Sequence, residues 1–361
     1  MSYTKYYLYK KQYSTDSGQT WHDVVPEETV PSGDPIGHYS TLEECEGSAP
    51  TGNTKFSAVY SNGDTYEIEC NTTDHLTVTD TRPEGYDHTS MRSAIIGDCV
   101  TSIDKQAFGN FTSLSSVTIP SSVTSINDAG ISTMDFGAFY KCTSLANITL
   151  PDTLTYIGVQ AFRECTAIRN IVIPSGVTSI GDMAFSGCTR LRSIVIPSGV
   201  TEIKSSTFDG DAMLSAVTLG NTTTSIGSHA FKGCTSLTGI TLPNSLSTIG
   251  REAFSGCTSL TGSLTIPDNV TTIAGGAFHT CSGLTSVSLG ASLSSISSFT
   301  FYNCTSLNDI TITTTLPPTL GQYAFDNTNN CPIYCPDVSV EDFKLEWTQY
   351  ADRIKPLSEK P

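Results

Sequence analysis

The sequence predicts a repeat solenoid, mainly β, built from short strands joined by irregular or 3-10 turns. Three observations predict it. A phenylalanine recurs at 108, 139, 162, 185, 208, 231, 254, 278, 301 and 325, with spacings of 31, 23, 23, 23, 23, 23, 24, 23 and 24 residues. Around it runs a frame, I-x-[IL]-P-x-x-[VL]-x-x-I-x-x-x-A-F-x-x-C-x-x-L, seen in IVIPSGVTSIGDMAFSGCTRLRS (171–193) and ITLPNSLSTIGREAFSGCTSLTG (240–262). The composition agrees, since 38% of the 361 residues are hydrophobic and only 15% charged, unlike a disordered chain.

One unit cannot fold alone. It offers five or six apolar side chains, such as Ile171, Ile173, Val177, Ile180, Phe185 and Leu191. Their burial is worth on the order of 10–15 kcal/mol. Ordering the backbone of each residue costs about 1–2 kcal/mol, so neighbouring coils must share one core and one hydrogen-bonded ladder. Leu191–Ile196 alternates as a short strand does. The prolines at 120, 151, 174, 197, 243 and 267 end these strands, having no N–H for a ladder.

This frame resembles the 23-residue leucine-rich repeat of BspA-like bacterial surface proteins, over about 240 of the 361 residues. The resemblance implies a right-handed superhelix and a non-catalytic adhesion or protein-binding role. The end, IYCPDVSVEDFKLEWTQYADRIKPL (333–357), is similar to the closing segment found after such repeats, with Cys335 where Val is common. Ser339 and Asp342 are spaced as a capping box. Phe343, Trp347, Tyr350 and Ile354 fall on one face at helical spacing, as a capping helix requires. The expected division is therefore 1–88, a small β-hairpin-rich region divisible into 1–47 and 50–88; 89–330, the solenoid of about ten repeats; and 331–361, the cap.

The N-terminal region lacks the repeat. KFSAVYSNGDTYEIEC (55–70) reads as a hairpin turning at Asn62-Gly63. YYLYKKQYSTDSGQTWHDVVP is a second hairpin candidate, and its turn, STDSGQTW (14–21), matches the Asp-box of propeller glycosidases. There Asp16 can accept turn amides, Gly18 allows positive φ, and Trp21 folds back onto the strands. A single box, with no further blade and no set of catalytic residues around it, places sialidase-like activity last among the readings. The box is expected to hold a turn.

Seven cysteines, at 142, 165, 188, 234, 257, 281 and 304, occupy one repeat position. Stacked in register they point the same way, which disfavours disulfides, and they lack metal-site pairing and neighbouring histidines. They read as a ladder of buried small hydrophobes. Cys45, Cys70, Cys99, Cys331 and Cys335 are less constrained, and a Cys331–Cys335 bridge is one option. Phe111 and Asp211 stand where two repeats lack the cysteine. Phe111 is a conservative filler. An unpaired buried carboxylate is costly, so Asp211 is expected to bulge toward solvent, the alternative being a cation held with Asp209.

The chain is acidic, with net charge −16, and residues 1–88 hold 15 acids against 5 bases. Without a basic stripe, nucleic acid is excluded, and no apolar run is long enough for a transmembrane helix. The start, MSYTKYYLYKKQYS, lacks the apolar core of a secretory signal, although the resemblance implies a secreted or cell-surface protein. No catalytic motif, cofactor motif or metal-ligating set is present, so an enzyme is not expected and no cofactor is assigned. The candidate binding face is the outward side of the strands: Asn147, Arg169, Asn170, Val172, Arg192, Val195, Thr218, Thr241, Thr265, Asn308 and Asp309, with Thr118, Thr149, Ser288 and Thr311 continuing the row. Such a shallow surface of hydroxyls and two arginines suits a protein or polymer rather than a reaction; equally, Thr is a good strand residue. The extra residues NDAGISTM (127–134) are a second candidate binding element. Partners implied by the resemblance are host matrix or bacterial surface proteins, met by a monomer. The alternative is a glycan- or receptor-binding component of a phage-like particle.

Overall fold

The structure, a computed structural model, describes residues 54–70, 75–127 and 136–361, together with four two-residue strands before residue 54. The chain forms two compact units, residues 1–53 and 54–361. In the first unit Tyr6–Tyr7 pairs antiparallel with Glu44–Cys45, and Gln12–Tyr13 with His22–Asp23. The latter pair is the expected second hairpin; Asp16, Gly18 and Trp21, between its strands, lie outside the described residues, as do residues 128–134 of the insertion.

The second unit is a β-solenoid. Each coil contributes to two parallel ladders. One joins outward-facing strands such as Ser193–Val195 and Ala216–Thr218, in register Val195↔Thr218. The other joins two-residue strands such as Ser225–Ile226, Thr248–Ile249 and Thr272–Ile273, and its isoleucines stack in register. The repeat prolines open tight turns rather than merely ending strands, because the amide three residues on donates back to the Pro carbonyl, as Val177 does to Pro174 at 3.0 Å.

Between the ladders the ten repeat phenylalanines are fully buried and form one stack. Consecutive rings lie 5.0 Å (Phe108–Phe139) to 5.7 Å (Phe185–Phe208, Phe301–Phe325) apart and nearly parallel. From Phe108 to Phe301 the amide of each ring residue donates into the next coil, as Phe231 does to Ala253 O at 2.8 Å. The stack is therefore also a hydrogen-bonded ladder.

At the N-terminal end, Thr54–Tyr60 and Thr65–Glu69 form the expected hairpin, with a three-residue loop in which Gly63 takes φ +90°. Thr54–Tyr60 also pairs antiparallel with Met91–Ile96, the first strand of the outward sheet. The hairpin thus covers an edge that would otherwise expose unpaired backbone groups. Phe56 packs on Phe108 at 5.9 Å and heads the ring stack. A disulfide joins Cys70 to Cys99. Residues 54–88, which lack the repeat pattern, are consequently built into the same unit as the repeats; strand pairing joins them, and pairing leaves no period in a sequence.

At the other end Ile333–Cys335 and Ile354–Pro356 extend the outward sheet, with a helix over Val340–Glu346 and 3-10 turns over Thr348–Arg353 between them. Phe343, Trp347, Tyr350 and Ile354 are buried as expected, though on a helix, a 3-10 segment and a strand rather than on one helical face. The capping box does not form. Ser339 Oγ instead donates to Thr315 O at 2.7 Å, tying the cap to the last coil.

The cysteine row is a ladder with a polar side. Each of the seven thiols donates to the carbonyl of a repeat phenylalanine in an adjacent coil, at 3.0 Å (Cys165 to Phe139 O) to 3.2 Å (Cys188 to Phe162 O). Burial pushes Cys257 and Cys304 up to about 12. Cys331 and Cys335 are free. Phe111 fills its position as expected, fully buried against Phe108.

Asp211 corrects the expectation. It is fully buried, not turned to solvent, and neither carboxyl oxygen has a hydrogen-bond partner. The nearby amides of Gly187 and Cys188 are committed to Asp209 O and Phe185 O. Burial drives its pKa well above the carboxylate range, and the like charge of Asp209 adds to this. The coil keeps its register because the Asp211 amide bonds Phe208 O and the Asp211 carbonyl receives Leu214. Holding a proton is the cheaper solution than breaking that ladder. The cation alternative finds no support, since among the described residues no three His, Cys, Asp or Glu side chains converge.

Candidate binding face

The outward sheet places side chains in columns, because parallel coils pair in register at about 4.8 Å per strand. Arg192 N bonds Arg169 O at 3.1 Å, so the two arginines are neighbours in one column. Asn170 pairs with Ser193, and Ser193 with Ala216. Val172, Val195, Thr218, Thr241 and Thr265 follow one another in a third column, all exposed. Asn147 and Asn170 are exposed beside them.

Within this face the hydroxyls divide into two groups. Ser215, Thr238 and Thr261 donate their side chains to backbone carbonyls of the preceding coil, at 3.1 Å to Arg192 O, 3.3 Å to Ser215 O and 3.2 Å to Thr238 O. These reinforce the solenoid. The hydroxyls of Thr218, Thr241 and Thr265 bond to no protein group among the described residues, and so stand available to a partner.

Val172 and Val195 are 81% and 63% exposed, the largest such values on the sheet face. Arg169 and Arg192 stand in the first column of the same face, with Asn170 and Ser193 between them and the valines, and form no ion pair among the described residues. The two neighbouring cations repel each other, and the two bare valines leave apolar surface wet. Strand propensity accounts for Thr and Val in these rows, but not for two like charges paired across neighbouring strands.

The far end of the face is not open. Asp309 is paired with Lys360 Nζ at 2.8 Å and accepts from Ser286 Oγ at 3.0 Å. Thr311, counted outward on sequence, is buried and receives Lys360 Nζ at 2.7 Å. The C-terminal segment covers both, leaving Asn308 exposed at its border. The contiguous surface therefore runs from Asn147 to Thr265, and Asp309 belongs to the cap. Lys360, which closes it, carried no sequence signal because it lies 49 residues from Thr311.

The family described as BspA type Leucine rich repeat region matches in six copies, over residues 79–136, 128–238 and 224–344. No curated protein matches the chain. Among solved structures, a leucine rich cell surface protein from Faecalibacterium prausnitzii A2-165 is similar over 85% of this chain and 93% of its own, with 24% identity and a TM-score of 0.45. A leucine-rich repeat protein from Bacteroides ovatus ATCC 8483 is similar over 83% and 90%, with 22% identity and a TM-score of 0.38. The pneumococcal vaccine antigen PcpA is similar over 78% and 82%, with 18% identity and a TM-score of 0.40.

Proposed function

The chain belongs to the BspA-type leucine-rich repeat family, and from that premise we propose that it is a non-catalytic surface or secreted protein that binds other proteins through its outward sheet. The observation that carries the reading is the exposure of Arg169, Arg192, Val172 and Val195 on one sheet face, with the unbonded hydroxyls of Thr218, Thr241 and Thr265 continuing it. Two cations on one side of an apolar pair suit a protein surface with an apolar patch and an acidic edge. The surface is broad and shallow, so recognition spreads over several coils. Host matrix or bacterial surface proteins are the partner class; no observation favours the phage-particle alternative. No helix among the described residues is long and apolar enough to cross a membrane.

Surface plasmon resonance of the full chain against immobilised matrix proteins, fibronectin and fibrinogen among them, tests the reading. Binding that falls on double charge reversal, Arg169→Glu with Arg192→Glu, supports it. Binding that survives the reversal unchanged moves the function off this face.

A further inference from the structure

Two rows of left-handed residues run along the solenoid, two positions before and two positions after most ladder phenylalanines. The row after mixes Gly187, Gly210, Gly233, Gly256, Asn303 and Asn327, which this backbone favours, with Lys141, Glu164 and Thr280. The row before holds mostly long side chains. It places Met183, His229, Glu252, Phe299 and Tyr323 at φ 51–60°. Phe299 and Tyr323 are 42% and 50% exposed, so burial does not explain them. In the midst of this row stands Gly276, preceded by Gly275, where the neighbouring coils have Arg251-Glu252 and Ser298-Phe299.

The missing side chains leave a recess of about 670 Å³. One wall is the Phe299 ring, backed by Tyr302 at 5.5 Å and continued by Tyr323 at 5.2 Å. The facing wall is Glu252, held by Lys232 Nζ at 2.6 Å and Arg251 Nε at 3.3 Å. His279 lies between, stacked on Tyr302. Lys232 fixes Glu252 as a carboxylate, its hydrogen bond holding the group below the usual range. The volume falls within that of small-ligand sites.

The chemistry of the walls selects the ligand. One aromatic face opposes a ring of donors and acceptors, which fits a molecule with a flat C–H face and a hydroxylated rim. The backbone here is already spent between coils: Glu252 N bonds Gly275 O, Gly276 N bonds Ser298 O, and Phe299 N bonds Gln322 O. No edge remains for an extended peptide to pair with. Lys232 and Arg251 are offset by Glu252 and by Asp209, which lies in the field of Lys232 and His229. That balance favours neutral hydroxyls over an anionic ligand.

We propose that this recess binds an uncharged pyranose residue of a glycan, its C–H face on Phe299 and its hydroxyls bonded to Glu252, Lys232 and His279. The site is separate from the sheet face and stands whether or not that face binds protein.

Saturation-transfer-difference NMR tests it on the full chain, with maltotriose, chitotriose and laminaritriose as probes and the peptide Gly-Phe-Gly as comparison. Transfer to the C–H protons of at least one trisaccharide is expected. Two variants should weaken that binding by about tenfold or more in Kd. Gly276→Gln fills the recess with a residue the row already carries at Gln106 and Gln160; Phe299→Ala removes the exposed platform. The Leu345→Ala variant, an exposed position on the C-terminal helix, should bind like the wild type. Transfer to none of the sugars, transfer to the peptide alone, or sugar binding retained in both recess variants overturns the proposal.

Discussion

The amide of Phe325 donates to the hydroxyl of Tyr350 at 3.1 Å. In the coils before it the same amide donates to a carbonyl of the next coil, as Phe301 does to Ala324 O at 2.8 Å. Tyr350 therefore replaces a coil that does not exist, and Arg353 Nη1 bonds Phe325 O at 3.1 Å, where preceding coils receive a cysteine thiol. The other end is closed by the same device. Thr81 Oγ1 donates to Ala107 O, and Arg82 Nη2 to Gly109 O at 2.5 Å. A solenoid ends where side chains take over the work of backbone.

Tyr350→Phe keeps the ring against Phe325 but removes the acceptor. A buried amide left unpaired costs about 1–3 kcal/mol. The variant should unfold at lower denaturant with an unchanged m-value, and hydrogen exchange at Phe325 should accelerate. A midpoint equal to wild type would show that the cap does not depend on this bond.

Asp211 makes stability depend on pH in an unusual direction. Its folded pKa is raised, so below the unfolded value both states hold the proton and nothing is lost. As pH rises above that value the unfolded chain ionises while the folded one resists, and stability falls by up to about 1.4 kcal/mol per pH unit. The Asp211→Cys variant restores the ladder thiol, so its donor can reach the Phe185 carbonyl as its neighbours reach theirs. Thermal melts at about pH 5 and about pH 8 should show the variant gaining most at the higher pH. Parallel pH curves for the two proteins would sink this account.

The nine free cysteines described are all buried, and burial raises Cys188, Cys234 and Cys281 well above the usual thiol range. Thiolate is the reactive form, so a maleimide should leave these sites unmodified in the native protein. Site-mapped mass spectrometry should find them labelled only after denaturation. Rapid native labelling of any ladder cysteine would contradict the packing.

On the sheet face, Val172→Thr with Val195→Thr should leave the melting temperature nearly unchanged, within about 0.5 kcal/mol, as for surface sites lacking special contacts. Affinity for a captured protein partner should nevertheless drop severalfold. If stability falls and binding does not, the valines serve the strands.

Whatever repeats in this fold was legible in the chain of residues alone. Phenylalanine contacts 23 or 24 residues apart recur eight times, so Phe185 on Phe208, the Cys188 row and the outward Val172–Val195 column are all legible as a period. What occurs once emerged in the folded chain. The hairpin at Thr54–Glu69 pairs with Met91–Ile96 and sets Phe56 on Phe108, Lys360 covers Asp309 and Thr311, and Asp211 stays inside with its pKa raised by burial. The recess at Gly276 likewise needs two neighbouring coils to become a shape. A single contact between distant segments leaves no periodic trace, and a buried charge keeps its place only because the coils above and below hold the backbone in register.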